Sequence, residues 1–308
     1  TNEKEFISKE SQKYWSDIDI YFGGSEHATG HLLYSRFYQK FLYDLEYLNK
    51  NEYSKKLINQ GMILGNSAFI FRESGSNKYI SSNLISDNEV DKVRIDIKYV
   101  KDDNQVDYNL LKLEDSDFKN STFKLENNVF YCIREQEKMS KSKFNVVNPD
   151  EICDQYGADT LRMYEMFLGP IEQSKPWDTR GISGVHSFLK KFWSLFFKDG
   201  LFNVSEEEPS KESLKSLHKT IKKITEDIEK LSLNTCISSF MICINELSSM
   251  SCNNREILKE LLILISPFAP HFAEELWSQL GHKESIVDQV YPEYNEKYLV
   301  ETEKLYPV

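Results

Sequence analysis

From about residue 150 onward the apolar residues fall three and four apart, a spacing that leaves little option but a bundle of helices. Leu214, Leu217, Ile221, Ile224, Ile228 and Leu231 follow it, as do Ile237, Phe240, Met241, Ile244 and Leu247. Residues 258–265 and 273–280 predict two more helices, with Pro267 and Pro270 punctuating the pair. The period of two that a half-buried strand requires is missing, so this part reads as all-α.

The first 65 residues have another texture. Ile18-Asp19-Ile20-Tyr21-Phe22 reads as a strand ending at Gly23-Gly24. A helix is predicted from Glu26 to about Asp44, with Leu32, Leu33, Phe37 and Phe41 on its apolar side. Strand, glycine turn and helix make the α/β unit whose ligands sit at the strand's carboxyl end. Met62-Ile63-Leu64 reads as a further buried strand. Residues 66 to about 130 look inserted. Val93-Arg94-Ile95-Asp96-Ile97 and Lys98-Tyr99-Val100 alternate like the strands of hairpins, and the acidic, Asn-rich stretches from Asp102 to Asp117 read as exposed loops. No catalytic constellation occurs there, and a surface elaboration is the simplest account.

Composition excludes several classes. The longest aliphatic run, residues 261–265, is far short of the roughly 20 residues that cross a bilayer. The first residues, Thr1-Asn2-Glu3-Lys4-Glu5, have neither a basic start nor an apolar segment, so no signal peptide is visible, and the missing initiator Met is consistent with a processed or excised piece. Five cysteines without a C-x-x-C pair argue against a disulfide framework and a cysteine zinc site; buried reduced thiols in a cytoplasmic protein are expected. A net charge of −11 excludes nucleic-acid binding through bulk positive field, so any RNA contact must come from a local basic face.

Two motifs carry chemistry. Lys138-Met139-Ser140-Lys141-Ser142, with Lys143 beside it, sets two cations and two hydroxyls within five residues. Ammonium groups offset oxygen charge while hydroxyl and backbone N–H groups donate, so the segment suits a polyphosphate. Most Lys/Ser pentamers are merely solvated loops; here the identity and order of the residues favour the site. The second motif runs through residues 23–37. Gly23 and Gly24 permit close approach of a ligand to the backbone. Glu26, at the helix start, could accept from a ribose diol or simply complement the helix dipole. His27 and His31 are four apart and share one helical face. A zinc peptidase would read H-E-x-x-H, whereas Ala28, Thr29 and Gly30 intervene here, so no bound metal is expected.

The block GG-x-EHA-x-x-HLLY-x-RF, followed by KMSKS, resembles the leucyl-tRNA synthetase family of class I aminoacyl-tRNA synthetases. Val146-Val147-Asn148-Pro149, residues 156–162, Gly169-Pro170 and Trp177 continue the likeness. The resemblance implies a Rossmann-type half domain over residues 1–65 with a β-rich insertion over 66–130. It further implies a lysine-loop and connecting region over 131–180, then an α-helical anticodon-binding domain over 181–308. It implies activation of leucine with ATP, brought as its Mg2+ complex, and transfer of the leucyl group to tRNA(Leu); neither DNA nor a membrane is an expected partner. Lys138, Lys141, Ser140 and Ser142 would stabilise the leaving pyrophosphate. Gly23, Gly24, Glu26, Met62, Ile63 and Met139 would contact ATP or the adenylate, and His27 and His31 would line the leucine pocket.

The chain departs from that family: it has no His-x-Gly-His tetrad, and the first half of the nucleotide fold and the usual small carboxy-terminal domain are expected to be missing. Such a chain alone is expected to be inactive. Lys211, Lys215, His218, Lys219, Lys222 and Lys223 form a basic stripe, with Lys215, Lys219, Lys222 and Lys223 as candidate tRNA contacts. A solvated face balanced by Glu226, Asp227 and Glu229 is the competing account. A non-catalytic tRNA-binding module is the alternative function, and a nucleotidyltransferase of another kind the third; the helical tail counts against the latter.

Overall fold

The structure is a computed structural model describing residues 3, 5–15, 18–85, 89–101 and 103–299. Asp102, in an expected acidic loop, and residues 300–308, the end of the expected helical domain, lie outside the described residues. The chain divides into two compact units: Thr1–Val147 with Glu172–Trp177, and Asn148–Ile171 with Asp178–Val308.

In the first unit a short helix α1 (Lys9–Trp15) precedes β1 (Ile18–Gly24), α2 (Leu33–Asp44) and β2 (Ser54–Gln60). The two strands are parallel, from Ile18 opposite Ser54 to Gly24 opposite Gln60, so α2 is the crossover of a β–α–β unit. The helix does not start as expected. Residues Ser25–His27 form a 3-10 turn and Ala28–Leu32 a π-helical turn before α2 begins. Gly30 and β-branched Thr29 are weak helix formers, and they sit where the winding is irregular. The apolar face is also only half satisfied. Leu32 is buried, whereas Leu33, Phe37 and Phe41 are 59%, 65% and 46% exposed. Two strands present too little surface to cover a three-turn helix, so periodicity identified the helix but not its burial.

The spine of the unit is β3 (Ile63–Glu73), which begins one residue later than Met62 and passes through residues 65 and 66. The stretch read as inserted therefore shares its central strand with the segment before it. Short strands β4 (Lys78–Ile80), β5 (Val90–Ile95), β6 (Thr122–Lys124), β7 (Ile133–Lys138) and β8 (Lys175–Pro176) complete a six-stranded mixed sheet. One edge of β3 carries β7 and then β4, the other β8 and then β5. Ile70, Leu111 and Phe130 are fully buried in the core on this sheet, with Tyr79, Ile95 and Cys132 around them. Two local expectations need correction. Lys98-Tyr99-Val100 is no strand: Ile97–Tyr99 is a 3-10 turn, because the Asp96 carboxylate accepts the Lys98 N–H at 3.0 Å and holds the backbone away from a ladder. The acidic stretch also contains a helix, α3 (Tyr108–Glu114), capped by Asp107, which accepts the Leu110 N–H at 3.0 Å.

The second unit is helical: α4 (Pro149–Tyr156), α5 (Ala158–Phe167), α6 (Thr179–Trp193), α7 (Lys211–Glu229), α8 (Leu233–Ser249), α9 (Arg255–Ile265) and α10 (Pro270–Gln279). A two-stranded hairpin, β9 (Phe197–Lys198) with β10 (Leu201–Phe202), lies between α6 and α7. Side chains of Asn148, Asp178, Ser210 and Asn254 cap four of the helices by accepting first-turn N–H groups. The α10 start has no cap of its own; Asp159 of α5 instead accepts the Phe272 N–H at 2.6 Å and bonds His271 Nδ1 at 2.9 Å. Ile224, Ile237, Phe240, Ile244, Leu258 and Leu261 are fully buried, as the three-and-four spacing predicts. Phe240→Ala is expected to lower the unfolding free energy of this unit by about 3–5 kcal/mol. Urea denaturation followed by helical circular dichroism measures it, and a loss below about 1 kcal/mol would move Phe240 out of the core. Among the described residues no helix is long and apolar enough to cross a membrane.

Candidate active site

Backbone register places the end of β2 four residues of chain before the strand position that faces Lys138. β1 and β2 end side by side, with Gly24 opposite Gln60. Four residues further on, Leu64 stands opposite Lys138, the last residue of β7, and on the other side of β3 Ile63 is opposite Lys175. Four residues of chain span at most about 14 Å, so the carboxyl edge of the parallel strands runs directly into the start of the lysine segment. Among the described residues, however, no hydrogen bond, ion pair or ring contact links His27 or His31 to residues 138–142.

At the glycine turn the Glu26 carboxylate folds back over Gly24. A Cβ at position 24 would meet Glu26 Oε2 at 2.1 Å, so this glycine makes room for the neighbouring carboxylate rather than for open solvent. The two imidazoles remain neighbours despite the irregular winding, with ring centres 6.5 Å apart and edge to face. His31 Nε2 and the Tyr21 hydroxyl of β1 share a hydrogen bond, and the Tyr21 ring lies edge-on to Tyr53. The sequence reading passed over Tyr21; its position three residues before Gly24 on the strand was the available signal. Met62, expected to contact ATP or the adenylate, already gives its N–H to Ser174 Oγ at 3.2 Å, and its carbonyl accepts the Lys175 N–H at 2.9 Å. A ligand that accepts from the Met62 N–H would have to displace Ser174.

Past Lys138 the chain makes a 3-10 turn at Lys141–Lys143, then Phe144 in the left-handed region at φ 50°. Lys138 and Lys141 are exposed and belong to no ion pair among the described residues, so both ammonium groups are available to an anion. The Ser140 and Ser142 hydroxyls lie 3.1 Å apart and bond each other. Lys143 is committed elsewhere: its Nζ is 3.3 Å from Glu137 Oε1. Glu137 also accepts from Arg94 Nη1 and Ser67 Oγ, both at 2.6 Å. The Arg94 guanidinium first, then the Ser67 hydroxyl and Lys143, hold the Glu137 carboxyl down at about 2. A depressed carboxylate contributes stability that is full above its ordinary value of 4.5 and is lost as pH falls through the folded value. The difference in urea midpoint between wild type and Glu137→Gln should therefore stay constant from pH 7 to about 5 and shrink from there toward 2. A gap that does not change with pH would remove Glu137 from the network.

Beneath this turn Asn145 is buried, at 2% exposure. Its side chain bonds Ser140 N–H, Ser67 Oγ and the Lys138 carbonyl. The sequence reading did not single out Asn145, Ser67, Arg94 or Glu137, which are scattered over three strands and a loop. Among the described residues no group of three or more His, Cys, Asp or Glu side chains is disposed to hold a metal ion.

In the second unit α7 presents Lys215, Lys219, Lys222 and Lys223 along a groove of about 540 Å³ that Ile242 and Glu246 of α8 also line. They are not equivalent. Lys223 Nζ is 2.6 Å from Asp227 Oδ1, and Asp227 is buried while also accepting Thr235 Oγ1, so Lys223 is a structural partner and Asp227 no solvated counter-charge. Lys222 lies over the Tyr294 ring at 5.2 Å. His218 leaves the stripe altogether, stacking on Tyr298 with ring centres 4.7 Å apart, and burial pushes its pKa down. Lys215 and Lys219 remain as cations without an ion pair among the described residues.

The segment that carries the lysine turn at the end of β7, and the helical bundle, each match a known family. The family described as tRNA synthetases class I (I, L, M and V) matches residues 127–178, and the anticodon-binding domain of tRNA ligase matches residues 210–306. Over 100% of its length the chain is 57% identical to a leucine–tRNA ligase of Christiangramia forsetii and 58% identical to one of Flavobacterium psychrophilum. It belongs to the leucine–tRNA ligase family, and it spans about a third, 32%, of the length of those relatives. A crystal structure of the ternary complex of Agrobacterium radiobacter K84 agnB2 LeuRS with tRNA and LeuAMS has the same fold, with a TM-score of 0.59 and 24% identity over 92% of this chain and 30% of that one.

Proposed function

We propose that this chain supplies the lysine-loop side of a leucyl-adenylate-forming site, built on a Rossmann-type half domain, together with the helical bundle that holds tRNA(Leu). The leucine carboxylate attacks the α-phosphorus of Mg2+-bound ATP, a P–O bond to the leaving pyrophosphate breaks, and leucyl-adenylate forms. The carboxylate is already ionised, so no general base is required, and positioning with electrostatic stabilisation carries the step. Lys138 and Lys141 take the charge that grows on pyrophosphate, and Ser140, Ser142 and the Met139 main chain donate to its oxygens. Gly23, Gly24 and Glu26 serve the ribose, Met62 and Ile63 the adenine side, and His27 and His31 the leucyl group. A hydroxyl of the tRNA's terminal adenosine then displaces AMP from the adenylate. Lys215 and Lys219 contact tRNA phosphate, with Lys222 and Lys223 at the margin. Protein synthesis in the cytoplasm is the setting this reading implies.

The observation that carries the proposal is the pair of exposed ammonium groups of Lys138 and Lys141, at the end of β7 and in the turn after it, with no ion pair among the described residues. The test is leucine-dependent ATP–pyrophosphate exchange by this chain alone and by a full-length ligase carrying it, with isoleucine and valine as controls. Exchange with leucine in the long form and background in the chain alone is expected. A preference for valine or isoleucine would leave the class standing and sink the leucyl assignment. The lysine-lined groove of α7 favours one second reading, a non-catalytic tRNA-binding module. That reading gains if tRNA binds and neither form supports exchange.

A further inference from the structure

We infer that Asn145 is a positioning residue for the lysine loop, fixing the backbone from which Lys138 and Lys141 project. Its carboxamide is used on both sides. Oδ1 accepts the Ser140 N–H at 2.9 Å, while Nδ2 donates to Ser67 Oγ at 2.9 Å and to the Lys138 carbonyl at 3.4 Å. One buried amide therefore ties the two main-chain groups flanking Met139 to the floor of the sheet. Ser67 is fully buried and hands the connection on, donating to Glu137 Oε2 at 2.6 Å, which Arg94 and Lys143 hold in turn. The left-handed turn at Phe144 is what returns the chain so that Asn145 points under the segment it follows.

The chemistry selects this side chain. Only a carboxamide offers an acceptor together with two donors from so short a stem: a carboxylate has no donor, and Leu has neither. Burial makes each bond costly to lose, because a stranded amide or main-chain group cannot turn to water. At 2% exposure Asn145 has no surface with which to touch a substrate, so its effect must pass through the loop. Its work is to leave both ammonium groups unpaired while holding their backbone still, so that little ordering remains when a polyphosphate arrives.

The link to phosphate rests on the proposed adenylate site; the link to loop geometry does not. Wild type, Asn145→Ala and Ser67→Ala forms of this chain are compared by amide hydrogen exchange at Ser140 and by titration with inorganic pyrophosphate, read from the amide resonances of residues 138–142. Asn145→Ala should raise Ser140 exchange and weaken pyrophosphate binding, each by about tenfold, with the amides of β3 and β5 unchanged. Ser67→Ala, which removes one link and spares the amide, should shift both readings by only about two- to fivefold. Unchanged Ser140 exchange in Asn145→Ala with β3 intact overturns the assignment, as does a freed loop that binds pyrophosphate as tightly as before. Should Asn145→Ala fail to fold, Ser67→Ala decides, and an unaltered Ser140 amide in that variant sinks the idea. If wild type shows no response to pyrophosphate while Ser140 still loses protection in Asn145→Ala, the positioning role stands and the adenylate reading is the one that falls.

Discussion

Replacing Lys141 by Ala should lower leucine-dependent ATP–pyrophosphate exchange by about 100- to 1000-fold in a full-length ligase carrying this chain. That is the scale for removing one preorganised group aimed at charge developing in a transition state. Among the described residues the ammonium has no ion pair to lose, so the folded state should be almost unaffected and the urea midpoint unchanged. Affinity for tRNA, assigned to Lys215 and Lys219 of α7, should stay within about twofold. Lys143→Ala supplies the contrast. Its ammonium is spent on Glu137, 3.3 Å away, and its loss should cost less than about tenfold in exchange. Equal losses at 141 and 143 would mean that the lysines act as a diffuse positive patch, and a fully active Lys141→Ala would end the proposed role.

Gly65→Ala is expected to be nearly as damaging, for a steric reason. A Cβ at position 65 would stand 2.4 Å from the Asn145 carbonyl oxygen and 2.9 Å from Met139 Cγ. The first of these is main chain and cannot swing aside, so either β3 or the 139–145 segment must move. Overpacking of this kind costs about 1–3 kcal/mol. A displacement near 1 Å at a catalytic group can cost about 100-fold in rate, so exchange should fall by that order while β5 and α3 keep their hydrogen-exchange protection. Normal activity in Gly65→Ala would show that the loop does not pack on β3 during turnover.

How much of this was legible in the sequence depends on the range of the interactions involved. The helices α7, α8 and α9 are governed by local periodicity, and Leu217, Ile221, Phe240 and Leu261 occupy the buried positions their spacing predicts. Strand β1 and the glycines that end it were equally plain. The 11-residue β3 was not, since Asn66 and Ser67 break the apolar run, and the burial of Ser67 depends on partners 70 and 78 residues away. Lys98-Tyr99-Val100 alternates like a strand and lost to a two-residue side-chain bond from Asp96. The lysine segment was found because its order is distinctive, while Asn145, only three residues beyond Ser142, was missed because an asparagine in a polar loop carries no pattern. The basic stripe was readable as a stripe; that Lys223 faces a buried carboxylate, and that His218 stacks on Tyr298, are facts of tertiary packing alone.

The β1–α2–β2 unit keeps Phe22, Phe37, Tyr38 and Phe41 about half or more in water, and Ile18, Ile20 and Leu57 of its two strands are also nearly half exposed. In colloidal language it is an adhesive patch on a chain of net charge −11. Charge repulsion keeps such chains apart at low ionic strength, and added salt screens it within about 10 Å while leaving the patch's attraction intact. Taken by itself, this chain should therefore associate more readily through that face as salt rises, which light scattering against ionic strength measures.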